Sequence, residues 1–161
     1  MAGLLTREGI NFLYRSEEGT VDRRTWWLGS VLLAAILFVL TMIWLVLKPW
    51  AGRGLDERAM IDARTIAAYL YVMFYAFALL FLAVSYVNLT SKRFRARGFR
   101  TLPAGLAGLP LVLSGIYGGL YWVQLRLPDR FLVWGVAIVA LSAVLSMLWH
   151  IFELGLRPDS D

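Results

Sequence analysis

Four long stretches without Lys, Arg, Asp or Glu dominate the pattern of apolar and polar positions along the chain. They cover residues 25–47, 65–91, 101–125 and 131–152. Each is longer than the roughly 20 residues that cross a bilayer as a helix, and a charge at the bilayer centre costs about 2.5–3.5 kcal/mol. The pattern predicts an all-α, polytopic membrane protein with four transmembrane helices in an antiparallel bundle.

The segments outside these stretches are short. None reaches the about 40 residues that a separately folded core needs. The predicted organisation is a cytoplasmic head over residues 1–24, a transmembrane domain over 25–152 and a short cytoplasmic tail over 153–161. Apolar residues in the head, among them Leu5 and Leu13, predict a short amphipathic helix lying on the membrane surface.

Composition agrees with a membrane protein. Of the 161 residues, 60% are hydrophobic and 17% are charged, whereas a typical soluble domain has about 25% charged residues. Tryptophan side chains favour the level of the lipid headgroups. The chain places them near the ends of the uncharged stretches, which predicts an aromatic belt of Trp26, Trp27, Trp44, Trp50, Trp122, Trp134 and Trp149.

Charges between the second and third stretches set the predicted orientation. This loop holds cations and no acid: Lys92, Arg93, Arg95, Arg97 and Arg100. An excess of Lys and Arg marks cytoplasmic loops, so both termini are expected in the cytoplasm. The link over residues 126–130 is short, and the third and fourth helices are therefore predicted to be antiparallel neighbours.

Small residues on the third and fourth stretches predict helix packing. Gly115 and Gly119 are four residues apart, and Gly108 lies on the same side of the helix. Such spacing bares one helix face and lets another backbone approach closely. Ser142 and Ser146 form a similar ridge on the fourth stretch.

Pro110 gives the third stretch a second special feature. Proline cannot donate to the carbonyl four residues earlier, here that of Leu106, so it is expected to kink the helix and release a carbonyl at membrane depth. Ordinary bundle packing is the favoured interpretation. The alternative is that this helix is a moving part or lines a lipid groove.

His150 and Glu153 are the titratable pair near the end of the fourth stretch. Residues three apart share a helix face, so His150 is expected to hydrogen-bond to Glu153 or to a headgroup. A proton-linked role, or a ligand shared with a partner chain, is the alternative. A metal site needs three or four ligands and a catalytic serine needs an adjacent base, so no metal, cofactor or catalytic residue is predicted.

Two segments carry a family resemblance. Residues 19–27, GTVDRRTWW, and residues 92–98, KRFRARG, resemble the entrance to the first span and the basic stretch of the bacterial inner-membrane family called Domain of Unknown Function 805. Thr20, Arg95 and Ala96 depart from the family's arginine, histidine and aspartate, so a role resting on that histidine–aspartate pair is lost here. The resemblance implies a multi-pass protein of the bacterial inner membrane and brings no established activity.

The two segments lie on one membrane face and predict one binding site. Asp22 is placed to cap the incoming helix, and the basic residues beside the tryptophans can anchor it to phosphates. We expect the site to bind anionic lipid or an acidic partner, rather than nucleic acid, through Arg23, Arg24, Trp26, Trp27, Lys92, Arg93, Arg95, Arg97 and Arg100.

Two functions remain open from the sequence. The first is a non-catalytic accessory, assembly or scaffold module, as a homo-oligomer or as a subunit of a membrane complex. The second is a small transporter or lipid-handling protein. Because the spans carry no charged residue, its cargo would be neutral or a lipid.

Overall fold

The computed structural model describes residues 7–16, 18–51, 63–99, 103–127 and 130–157, and the regular structure within these ranges is helical. A short helix, α1, and a π-helical turn form the head, and longer helices follow. Helix α5 continues into a π-helical segment. The bounds are α1 Arg7–Ile10, π-helical turn Asn11–Arg15, α2 Arg23–Ala51, α3 Ala63–Ala96, α4 Pro103–Gln124, α5 Arg130–His150 and π-helical segment Ile151–Leu156.

The spans predicted from hydropathy are confirmed. In the described ranges, four helical segments are long and apolar enough to cross a membrane: Arg23–Ala51, Ala63–Ala96, Pro103–Gln124 and Arg130–Leu156. The chain is therefore a multi-pass membrane protein. Helix α3 differs most from its predicted span, because it continues through the basic residues up to Ala96.

Helix α2 begins where the sequence places a capping carboxylate. The Thr25 hydroxyl donates to the carboxylate of Asp22, as do the backbone amides of Thr25 and Arg24, and these bonds hold the pKa of Asp22 below its usual value. The backbone amide of Trp26 donates to the Asp22 carbonyl at 3.0 Å. The predicted cap is therefore present, and it orients the start of α2.

The bundle buries its own side chains mainly at one end. Helix α2 packs against α3, α3 against α4 and α4 against α5, while apolar side chains in their middle turns point outward. Phe81, for example, is 73% exposed and Leu80 is 64% exposed. The buried core lies where the head, the start of α2, the end of α3, the start of α4 and the π-helical segment meet: Leu13, Val21, Trp26, Leu89, Phe94, Ala107 and Leu154.

The head docks onto this end of the bundle. Leu13 is buried at 4% exposure, and the Asn88 side-chain amide donates to the Tyr14 carbonyl at 2.8 Å. The Tyr14 hydroxyl donates to the Gly29 carbonyl at 3.3 Å, and burial raises the pKa of Tyr14. The described part of the head is thus held by polar groups of α2 and α3. Its position on the membrane surface stays a prediction, and residues 1–6 lie outside the described residues.

Close packing at glycine occurs at positions that the sequence pattern did not single out. A Cβ atom at Gly115 or Gly119 would meet nothing within 4 Å, so this face of α4 is open in the described chain. A Cβ at Gly29 would lie 2.8 Å from Leu89 Cδ2, and one at Gly155 would lie 2.7 Å from a Trp27 ring carbon. The described chain therefore uses glycine for close approach at its buried end.

Of the remaining predicted packing residues, two contact their surroundings and one bonds within its own helix. A Cβ at Gly108 would lie 4.0 Å from a Val87 methyl group. Ser146 is buried. The Ser142 hydroxyl donates to the Ile138 carbonyl at 2.9 Å.

Candidate functional site

Polar and charged side chains are buried at the end of the bundle where the core lies. On α3, every residue from Asn88 to Phe94 is at most 9% exposed, so all sides of this helix are covered there. We call the polar residues that meet at this level the polar cluster. Its members are Asn88, Thr90, Lys92, Arg93, Arg97, His150 and Glu153.

The two tryptophans at the start of α2 are hydrogen-bond donors to this end of the bundle. Trp26 is buried, and its indole nitrogen donates to the Thr90 hydroxyl at 3.4 Å. The Trp27 indole nitrogen donates to the Gly155 carbonyl at 3.1 Å. Their rings meet edge to face at 5.2 Å. The Trp26 ring is therefore covered by protein, and its predicted place in the aromatic belt stays a prediction.

An arginine near the end of α3 and another just after it hold the π-helical segment. The Arg93 side chain donates through Nε to the Leu154 carbonyl at 3.1 Å. Glu153, which is 6% exposed, pairs with Arg97 at 3.1 Å and with Arg157 at 3.1 Å. The carboxylate is thus shared between a buried arginine and an exposed one, and the segment after α5 is tied to the end of α3.

His150 joins α5 to the proline-containing helix α4. Its ring is 1% exposed, and its Nε2 lies 2.9 Å from the carbonyl of Leu106, the group that Pro110 releases. Its Nδ1 lies 2.8 Å from the Ser146 carbonyl. A neutral imidazole has one N–H, so only the protonated ring donates to both carbonyls.

This geometry corrects the predicted bond from His150 to Glu153. The two residues share a helix end, but the carboxylate is occupied by arginines. The imidazole instead satisfies the carbonyl that the proline leaves without its helical donor. The carbonyl released at Leu106 was expected from the sequence, whereas its partner on α5 was not.

The structure separates the predicted lipid-binding residues into two groups. Arg23 and Arg24 are exposed at the start of α2, whereas Lys92 and Arg93 are buried in the polar cluster. Trp27 is also exposed, Trp26 is in the core, and Arg95 and Arg97 are half-buried. Arg100 lies outside the described residues. The two sequence segments do meet, since Trp26 contacts Thr90 beside Lys92.

Asn88 and Glu153 are members of the cluster that sequence reasoning did not place at the site. Asn88 belongs to a run of polar residues, Asn88 to Ser91 with one leucine, at the end of an apolar stretch. That run was the available signal for a buried polar site, because uncharged polar groups that are buried need hydrogen-bond partners. For Glu153, the sequence offered only its nearness to His150.

An apolar cavity of about 390 Å³ lies next to the polar cluster, between α2, α3, α4 and α5. Its walls are mainly aliphatic, with Leu37, Leu82, Leu111 and Met147 contributing one from each helix. One end is more polar and includes Ser30, Trp27 and His150. Ser30 Oγ is buried and has no hydrogen-bond partner among the described residues.

The described residues show no cluster of three or more His, Cys, Asp or Glu side chains that could hold a metal ion. Comparisons of the chain with protein-family models, with curated proteins and with solved structures give no match. The function is therefore inferred from the residues and geometry of the chain itself.

Proposed function

We propose that this multi-pass membrane protein handles lipid, and that it binds an apolar lipid chain in the cavity between its helices. The cavity is the observation that carries the proposal. Its volume of about 390 Å³ falls in the range of ligand pockets, roughly 300–1,000 Å³. Apolar cavities of this kind stay free of water and take up apolar molecules, and within a bilayer lipid chains are the most abundant ones.

The lining favours a neutral chain over a charged solute. Transporters of charged solutes ordinarily place an ionisable group at membrane depth. Among the described lining residues there is no Lys, Arg, Asp or Glu, and the imidazole of His150 lies against the carbonyls of Leu106 and Ser146. The Ser30 hydroxyl has no hydrogen-bond partner among the described residues, whereas the Ser114 hydroxyl donates to the Pro110 carbonyl at 2.7 Å. These considerations move lipid handling ahead of a purely structural role.

The proposal includes the finer architecture: an antiparallel bundle in the bacterial inner membrane with both termini cytoplasmic. The terminal segments support it by meeting at one end of the bundle, through Tyr14 with Asn88 and through Glu153 with Arg97. The cations at that end favour the cytoplasmic side. The two segments that resemble the Domain of Unknown Function 805 family support a bacterial inner membrane.

The test fills the cavity and counts the bound lipid. Ala34 lines the cavity, whereas the adjacent Ala35 does not, so Ala34→Trp and Ala35→Trp form a matched pair. All proteins are extracted in a mild detergent, and native mass spectrometry measures the lipid that remains bound. We expect Ala34→Trp to lose lipid that wild type and Ala35→Trp retain. Equal occupancy in the three proteins would refute the cavity as the binding site.

Assembly with a second membrane chain is the second candidate function. It is favoured by the open face of α4, where Gly115, Gly118 and Gly119 leave free space at a spacing suited to a helix partner. Gly115→Leu and Gly119→Leu are expected to reduce the particle mass measured in mild detergent. Gly135→Leu is the control, because Gly135 also faces open space but lies on α5. An unchanged mass for the α4 variants would contradict this candidate.

A further inference from the structure

Lys92 is a buried cation at the end of α3. Its side chain is 0% exposed, and Nζ has no hydrogen-bond partner among the described residues. The contact that Nζ makes is with the face of the Phe12 ring, at 4.1 Å from the ring centroid. An ammonium group carries three donors and no acceptor, and burying it without an acceptor is unfavourable.

The charged residues next to Lys92 on α3 are also cations. Arg93 follows it directly in the chain, and Arg95 lies one turn further along α3. The buried carboxylate of Glu153 is engaged by Arg97 and Arg157. Among the described residues, no acceptor is bonded to the buried ammonium of Lys92, and an anion would supply one.

A second buried donor precedes Lys92 in the chain. Ser91 is 2% exposed, and its hydroxyl has no hydrogen-bond partner among the described residues. Both residues stand where the uncharged stretch of α3 ends. That is the level of the headgroup phosphates when the stretch spans a bilayer.

Phe12 lies over the ammonium of Lys92 and is itself accessible. It belongs to the π-helical turn of the head and is 44% exposed. Its ring rests on Gly19, where the backbone has φ +95° and a Cβ would lie 2.8 Å from the ring. A cation–π contact with a desolvated ammonium is worth about 2 kcal/mol, which corresponds to about 30-fold in affinity.

We propose that Lys92 is the cation of a phosphate-binding site that Phe12 covers, and that the ligand is the phosphate group of an anionic phospholipid. Free inorganic phosphate offers the same chemistry and is tested beside it. The ligand displaces the ring and accepts hydrogen bonds from Nζ. This site lies outside the lining of the apolar cavity, so it holds whether or not a lipid chain occupies the cavity.

The experiment compares Lys92→Met with Lys48→Met. Lys48 is an exposed lysine near the end of α2 and is the matched control. Thermal unfolding is followed in a neutral detergent with added phosphatidylglycerol, with phosphatidylcholine of identical chains, or with inorganic phosphate. We expect phosphatidylglycerol to raise the midpoint of wild type and Lys48→Met more than phosphatidylcholine does, and Lys92→Met to lose that increment. Without added anion, Lys92→Met is expected to be at least as stable as wild type, because methionine buries no charge.

Phe12→Ala provides an independent measurement on a chain that keeps Lys92. Removal of the competing ring is expected to tighten phosphatidylglycerol binding about 30-fold in a titration followed by native mass spectrometry. If inorganic phosphate also stabilises the wild-type protein, the phosphate group is sufficient for binding. If only phosphatidylglycerol does so, the ligand is the lipid. The proposal is overturned if both lipids raise the unfolding midpoint of wild type equally, or if the extra increase with phosphatidylglycerol survives in Lys92→Met. Neither result bears on the cavity, because both lipids carry the same chains.

Discussion

Glu153 offers a sharp test of the polar cluster, because one carboxylate has two arginine partners in different surroundings. The side chains of Glu153 and Arg97 are each 8% exposed, whereas that of Arg157 is 58% exposed. Glu153→Gln leaves Arg97 buried without its counterion, and breaking a buried pair in this way costs about 3–5 kcal/mol. Arg157→Gln removes an exposed pair, for which the cost is at most about 1 kcal/mol.

The free energy of unfolding is measured by titrating the purified variants from mild detergent micelles into dodecyl sulfate and following helix content. The double variant Arg97→Met with Glu153→Leu removes both charges and is expected to recover much of the loss, because an apolar replacement of a buried pair is often neutral. A cost for Glu153→Gln no larger than that for Arg157→Gln would refute the assignment of Arg97–Glu153 as a buried, stabilising contact.

Three further predictions concern other contacts of the same end of the bundle. Gly29→Ala places a methyl group against a leucine of α3 and is expected to lower the free energy of unfolding by about 1–3 kcal/mol. The control, Gly118→Ala, places its methyl group in open space and is expected to be neutral or stabilising. Similar losses for the two variants in the same unfolding titration would contradict this prediction. His150→Phe removes the ring nitrogen that lies against the Leu106 carbonyl and is expected to lower the free energy of unfolding by about 1–3 kcal/mol. An unfolding curve identical to that of wild type would contradict this prediction. The pKa of Asp22 is lowered, first of all by the hydrogen bond from the Thr25 hydroxyl. The ionised carboxylate therefore contributes to the free energy of unfolding at neutral pH, and this contribution is lost as the pH falls through the lowered pKa. Thr25→Val is expected to reduce the loss of stability at acid pH, and an unaltered profile of stability against pH would argue against the cap.

The helices were predictable from the sequence because membrane crossing depends on the length of an uncharged stretch, which is a local property. The burial of Lys92 and Arg93 was not, since basic residues at a span end are ordinarily solvated anchors. Their position depends on the head and on the π-helical segment, which cover α3 from distant parts of the chain. The sequence pattern contains no signal for either cover.

Glycine shows the same difference between local and distant information. The spacing of Gly115 and Gly119 identifies a bare helix face, but spacing does not say what lies against it, and in the described chain that face is open. Gly29 has no such pattern, yet Leu89 packs directly on it. The Leu106 carbonyl is intermediate: proline predicts that it lacks a helical donor, and only the fold supplies the histidine.

The contacts of the polar cluster also determine the order in which the protein can be assembled during synthesis. The head can dock onto α3 once Asn88 has been made, because its partner Tyr14 lies 74 residues earlier. Arg93 and Arg97 must wait for Leu154 and Glu153, which are 61 and 56 residues later. Until α5 has been synthesised these bonds cannot form, and cations at the end of a span act as topological anchors. The same side chains therefore serve first as topological anchors of a nascent chain and afterwards as buried connections of the finished one.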